Sequence, residues 1–189
     1  MTALPDGRSV LLAPDDDVRS AILAMLNGAQ HEILLQMYAL TLVPAVDALI
    51  AKHQAGVDVA LVLDQSQSGE TLDVSDPTEG YLFRARRALM HEEAIQESAL
   101  GGSPERVQVE RLKSAGVPMV IGNSASGSIL HEKAVVVDTD IVAYGSYNWS
   151  LSAQLQTNCW TQETNAAVAA IFRAAFLANW IRLGGTPRS

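Results

Sequence analysis

Between His131 and Asn148 the chain sets chemically capable residues at fixed spacing. His131-x-Lys133 comes first, Asp138 follows after four residues, Gly145-Ser146 after six more, and Asn148 after one. An imidazole can act as nucleophile or proton carrier. An ammonium supplies charge, and a hydroxyl and a carboxamide supply hydrogen-bond donors. Converging on one spot, these groups can bind a phosphoryl group. Period-2 alternation in a strand puts His131 and Lys133 on one face, so both can project into a cleft beside Gly145-Ser146. Asp138 has a second reading as a turn residue that ends its strand, and Gly145 has one as a residue that permits a tight turn.

The elements that must position these groups are visible around them. Ala134 to Val137 and Ile141 to Tyr144 are apolar runs separated by Asp138-Thr139-Asp140, the pattern of a two-stranded hairpin. Upstream, Ser9–Ala13 is a short apolar run ended by Pro14. Asp15, Asp16 and Asp17 then stand where acidic side chains cap a helix, and Val18, Ile22, Met25 and Leu26 recur at helical spacing until Asn27-Gly28. The stretch 32–38 reads as a buried strand. Residues 41–55 read as a helix with Pro44 in its first turn, and 57–63 as a strand ending at Asp64. Strand and helix alternating at these lengths predict an α/β domain with a mixed, largely parallel central sheet flanked by helices on both faces. Residues 65–79 are polar and predict a mobile surface loop. Two helices are predicted at 81–100 and 104–115, a strand at 117–121 and a flexible connector at 122–128. No repeat or linker divides the chain, which predicts one domain over 1–189.

Composition bounds the function. The 189 residues carry 13 Lys and Arg against 21 Asp and Glu, a net charge of −8, with 48% hydrophobic residues. That is an ordinary globular balance. One cysteine, Cys159, excludes an internal disulfide framework. No apolar run reaches the roughly 18 residues of a membrane span, and the first residues lack a signal-peptide pattern. A cytoplasmic protein without stable membrane insertion is expected. The acidic balance argues against a general nucleic-acid coat, whose affinity comes from clustered Lys and Arg. There is no His-Glu-x-x-His string, Cys-x-x-Cys pair or phosphate-binding glycine loop, so no metal site and no cofactor are predicted.

The string His-x-Lys-x4-Asp-x6-Gly-Ser-x-Asn resembles the HKD signature of the phospholipase D superfamily. Met37-Tyr38-Ala39-Leu40-Thr41 and the run from Gly56 to Asp64 resemble that family's opening unit, and 165–180 resembles its last helix. The resemblance implies the phospholipase D-like fold and cleavage of phosphodiesters without a metal, through a covalent phosphohistidine. It implies His131, Lys133, Asp138, Ser146 and Asn148 as catalytic residues, with Lys133, Gly145, Ser146 and Asn148 holding the substrate. Superfamily sites need two such motifs. This chain has one, since His31, His53 and His91 lack a lysine two residues on. As in the short bacterial endonucleases and the cardiolipin-hydrolase-like members, the resemblance then implies a homodimer that builds one site across its two-fold axis. Related enzymes often carry, about ten residues past the asparagine, a Glu that orients the histidine. Thr157 stands there, before Asn158, which leaves Glu163 in a shifted position, Asp138 as a substitute, or a weaker site.

Nucleic acid is the expected substrate, and a phospholipid of cardiolipin type is the alternative. A catalytically weak nucleic-acid-binding or dimerisation module is a third reading. The acidity fits a phosphodiester substrate only if positive charge is local, as two Lys133 focused into one cleft would make it, with strong salt sensitivity. Trp149, Trp160 and Trp180 are expected in packing rather than base stacking. Arg84, Arg86 and Arg87 fan around their helix, and His91 with Glu92 and Glu93 resembles a metal site only superficially.

Overall fold

A strand covered on both faces must be apolar on both, and the runs at 32–37, 58–64 and 133–137 meet that condition. In the computed structural model, which describes residues 2–4, 7–68 and 104–188, they form the middle of one eight-stranded sheet. The strands are β1 (Thr2–Ala3), β2 (Ser9–Ala13), β3 (Glu32–Met37), β4 (Asp58–Asp64), β5 (Met119–Gly122), β6 (Lys133–Val137), β7 (Ile141–Gly145) and β8 (Asn158–Thr164). Their spatial order is β1-β2-β8-β7-β6-β3-β4-β5. The helices are α1 (Val18–Gly28), α2 (Val43–Gln54), the short α3 (Gln65–Ser68), α4 (Pro104–Ser114) and α5 (Ala166–Arg182).

The caps follow local chemistry. Asp17 accepts the Ser20 amide at 3.1 Å at the start of α1, and Asn165 accepts the Ala167 and Val168 amides at 3.2 Å at the start of α5. Pro44 sits in the first turn of α2, where no amide proton is needed.

Helices cover both faces, as expected. On one face α1, α2 and α4 bury Ile22, Leu26, Val46, Leu49 and Leu112 against Ile33, Leu35, Leu61, Val135 and Trp160. On the other, α5 lays Ala169, Phe176 and Trp180 over Leu34, Ala60, Val62, Val136 and Val142. Each large apolar side chain buried in this way contributes about 1.5–3 kcal/mol. Trp149 and Trp160, both 0% exposed, meet edge to face at 6.3 Å, and Trp180 is also buried, so all three tryptophans are packing residues.

The sheet is mixed but not largely parallel. Only β3–β4 and β4–β5 run parallel, while β1–β2, β2–β8, β8–β7, β7–β6 and β6–β3 are antiparallel. Crossover helices do enforce parallel neighbours over 32–122. The hairpin that follows then inserts β6 beside β3 in the opposite sense, and β8 closes against β2. A second correction concerns 65–79, read as loop: its first four residues form α3. The predicted helix 81–100, with Arg84, Arg86, Arg87 and His91, lies outside the described residues.

Candidate active site

Because β3 is antiparallel to β6 and β6 to β7, the start of β6 and the ends of β3 and β7 lie on one edge of the sheet. The parallel strand β4 ends there too, at Asp64, and β8 begins there at Asn158. His131, Lys133, Ser146 and Asn148 therefore come to one edge, at or just beyond the ends of the adjacent strands β6 and β7, which lie roughly 4.8 Å apart. The loops are bound together: the Trp149 carbonyl accepts the Thr41 and Leu42 amides, both at 2.8 Å, joining the chain after β7 to the chain after β3.

His131 is exposed while Lys133, two residues on, is 4% exposed. The Lys133 ammonium donates to the His131 carbonyl at 2.7 Å and lies 4.7 Å over the Tyr38 ring. The same ring meets the His131 imidazole edge to face at 4.7 Å. Tyr38 thus fills the space beneath both groups and adds about 0.5–2 kcal/mol of cation–π attraction to the desolvated lysine. An exposed imidazole and a buried cation against one ring offer a nucleophile to solvent and a charge to any anion that reaches it.

The Ser146 hydroxyl donates to Asn158 Oδ1 at 2.9 Å and accepts the Cys159 amide at 3.0 Å, and the Asn158 amide donates to the Ala153 carbonyl at 3.0 Å. To donate to a phosphoryl oxygen, Ser146 must rotate away from Asn158. Asn148 is half-buried, and its Oδ1 has no protein donor. Gly145 answers a packing demand: a Cβ there would collide with the Cys159 carbonyl of β8. Its geometry is that of a close backbone approach rather than of a tight turn.

Asp138 is not brought to this edge. It lies beyond the other end of β6, roughly 20 Å of strand rise from His131. There, with a φ of 51°, it accepts the amides of Gln30 at 2.8 Å, His31 at 2.7 Å and Glu32 at 3.0 Å. Burial works to raise its pKa, but the amide bonds from Glu32, Gln30 and His31 together hold the carboxyl below the ordinary range. It latches the hairpin turn to the start of β3. Glu163 likewise points elsewhere, accepting from the Tyr144 hydroxyl at 2.9 Å and the Asn165 amide at 3.2 Å. Thr157, at the position of the family's glutamate, is exposed. Neither Asp138 nor Glu163, the two carboxylates considered for orienting His131, therefore stands beside it.

The latch carries a prediction. Asp138→Asn keeps the left-handed turn accessible but removes the charge. It is expected to cost about 2 kcal/mol, a fall in Tm of roughly 4–8 °C, with turnover below Tm unchanged. A carboxyl with a depressed pKa stabilises above its unfolded pKa and loses that contribution as pH falls through its folded value. The gap between wild type and variant should therefore close in acid. A large loss of turnover at unchanged Tm would refute the latch.

Glu132, between the two motif residues, faces α5 instead. It accepts from the Gln36 amide, whose oxygen accepts from Asn179 of α5 at 3.1 Å, and lines a shallow pocket with Leu34, Phe172 and Phe176. Burial raises its carboxyl above the ordinary value. Such a group favours the fold below its unfolded pKa and loses that contribution as pH rises through the folded one. Glu132→Gln should therefore raise Tm at neutral pH, and the difference should vanish near about pH 4. Thermal melts across that range check it. A destabilised variant at neutral pH would contradict the prediction.

Sequence reasoning did not assign Tyr38, Asp64 or Asn158 a place in this site. Tyr38 follows the end of β3, Asp64 ends β4 and Asn158 begins β8, the local signal that they could sit on the same edge. Among the described residues, no group of three or more His, Cys, Asp or Glu side chains could hold a metal ion, and no helix is long and apolar enough to cross a membrane.

Residues 22–180 match the family described as cardiolipin synthase, PLD-like domain. Among solved structures, the chain is similar to Nuc, a phospholipase D family member from Salmonella typhimurium. The TM-score is 0.69 at 20% identity, covering 96% of this chain and 99% of that one. NucT from Helicobacter pylori gives 0.65 at 16% identity, over 95% and 98%. Phosphatidylserine synthase from Haemophilus influenzae Rd KW20 gives 0.58 at 14% identity, over 95% of this chain and 40% of that one. These likenesses establish the shared fold. No curated protein matches the chain.

Proposed function

The chain belongs to the cardiolipin synthase, PLD-like domain family, and from that premise we propose that it is a metal-independent nuclease that cleaves nucleic-acid phosphodiesters as a homodimer. Membership makes it a phosphodiesterase of the phospholipase D superfamily. The observation that supports the finer reading is an exposed His131 and a buried Lys133 against one Tyr38 ring, in a fold shared along nearly all of Nuc and NucT but 40% of the lipid synthase. In this reading the one motif of these 189 residues is half of a site, and a second copy completes it. Ile129, Leu151 and Leu155, close in sequence to His131, Asn148 and Asn158, are 44%, 49% and 79% exposed, and this reading expects them to be buried against that copy.

In this reading an imidazole nitrogen of His131 attacks phosphorus. A P–N bond forms as the P–O bond to the leaving oxygen breaks, and the protonated His131 of the partner subunit gives that oxygen its proton. Water then attacks phosphorus and passes a proton to the partner's His131, and the P–N bond breaks to release the product phosphate and restore both histidines. Lys133, Asn148 and a rotated Ser146 from each copy hold the phosphoryl oxygens.

The family description favours a second reading, hydrolysis or transfer on a cardiolipin-type phospholipid, because the same groups would serve. A panel of single- and double-stranded DNA, RNA and cardiolipin vesicles, each with and without EDTA, separates the two, with light scattering on the same sample. The nuclease reading expects a dimer that cleaves nucleic acid in EDTA and loses rate steeply with salt. Cleavage of cardiolipin alone would establish the lipid reading. Activity lost to EDTA, or a fully active monomer, would overturn the shared-site mechanism.

A further inference from the structure

The chain approaches β6 through residues 123–132, which lie outside any strand, so something other than the ladder must fix where His131 sits. Asp64, the last residue of β4 and 0% exposed, does this from two strands away. Its Oδ2 accepts the amide of Leu130, the residue before His131, at 2.6 Å. Its Oδ1 accepts the Ser66 amide at 2.9 Å and the Ser66 hydroxyl, which holds the first turn of α3. Leu130 is itself buried with Val62 and Val136 on the α5 side of the sheet. A charge-assisted bond of that length inside the protein fixes direction as well as distance.

We propose that Asp64 is a positioning residue: it holds the Leu130 amide and so aims His131, resting on the phosphodiesterase reading of that site. The two carboxylate oxygens serve different segments, and both act as acceptors. Asp64→Asn therefore turns one acceptor into a donor that faces an N–H, although size and shape are kept.

Asp64→Asn is expected to lower kcat about a hundredfold, the scale set by a misplacement near 1 Å, with KM nearly unchanged. Ser66→Ala keeps the bond to Leu130 and should leave kcat near wild type. Val62→Ala, buried in the same strand on the α5 face, controls for lost stability. If it reproduces the kcat loss at an equal fall in Tm, Asp64 acts only through the fold and the proposal is overturned. A second arm needs no turnover. In the wild type the Leu130 amide proton should resonate far downfield and exchange slowly, and it should move upfield in Asp64→Asn. An ordinary, fast-exchanging Leu130 amide in the wild type overturns the proposal even if the variant does not fold. A wild type inactive on every phosphodiester would sink the functional reading instead, and the Leu130 amide would still decide for or against Asp64.

Discussion

His131→Ala is expected to lower kcat for phosphodiester cleavage by about 10⁴-fold or more, the scale seen when a covalent nucleophile is deleted. KM should change little, because the groups that hold the phosphoryl oxygens remain. The fold should survive, since the side chain is exposed and meets the Tyr38 ring edge to face rather than filling the core. Tm should stay within a few degrees of wild type, which separates lost chemistry from lost structure. The same variant tests the shared site. If one copy attacks and the other protonates, a mixed dimer is dead, so activity falls as the square of the wild-type fraction. An exchanged equal mixture then keeps about one quarter of the rate. One half would mean that each chain works alone, and a His131→Ala protein as fast as wild type would end the covalent mechanism.

Lys133→Met keeps an unbranched stem of similar length and removes the charge. It is expected to lower kcat about 10²–10³-fold, the usual effect of deleting one preorganised electrostatic contact at a developing charge. The loss is large because the lysine is 4% exposed, so its attraction for phosphoryl oxygens is little screened by water. Stability should hold. The variant loses the bond to the His131 carbonyl and the cation–π contact with Tyr38, but it no longer keeps a charge out of water. Steady-state kinetics beside a thermal melt checks this. A tenfold or smaller effect would show that the charge serves binding at a distance rather than the reacting phosphate. The rate of Lys133→Met should also lose much of its salt dependence, since the focused charge that draws a polyanion to an acidic protein is gone.

These expectations rest on residues that were legible in the sequence. The spacing of His131, Lys133, Ser146 and Asn148 is local, and the hairpin that carries them is written in two β-branched runs around a turn. Period-2 alternation needs only a few residues to assign faces. The same holds for the caps at Asp17 and Asn165, for Pro44 in α2, and for the strands whose apolar runs demand cover on both faces. Asp138 shows where local reading stops. Its distance along the chain from His131 suggests partnership, yet a strand between them carries it to the far edge, where backbone amides rather than substrate surround it.

What the sequence determined by itself is thus the set of chemically capable groups and the alternation of elements, because each depends on neighbours within one turn or strand. Only the tertiary structure decided that β6 lies antiparallel beside β3, which makes the sheet mostly antiparallel and gathers strand ends from distant parts of the chain onto one edge. That choice is set by burying both faces of β3, β4 and β6 under helices, a condition no short window contains. It puts Tyr38 beneath His131 and Lys133, Asn158 against Ser146, and Asp64 against Leu130. Long-range pairing therefore turned a local row of capable residues into a supported candidate site.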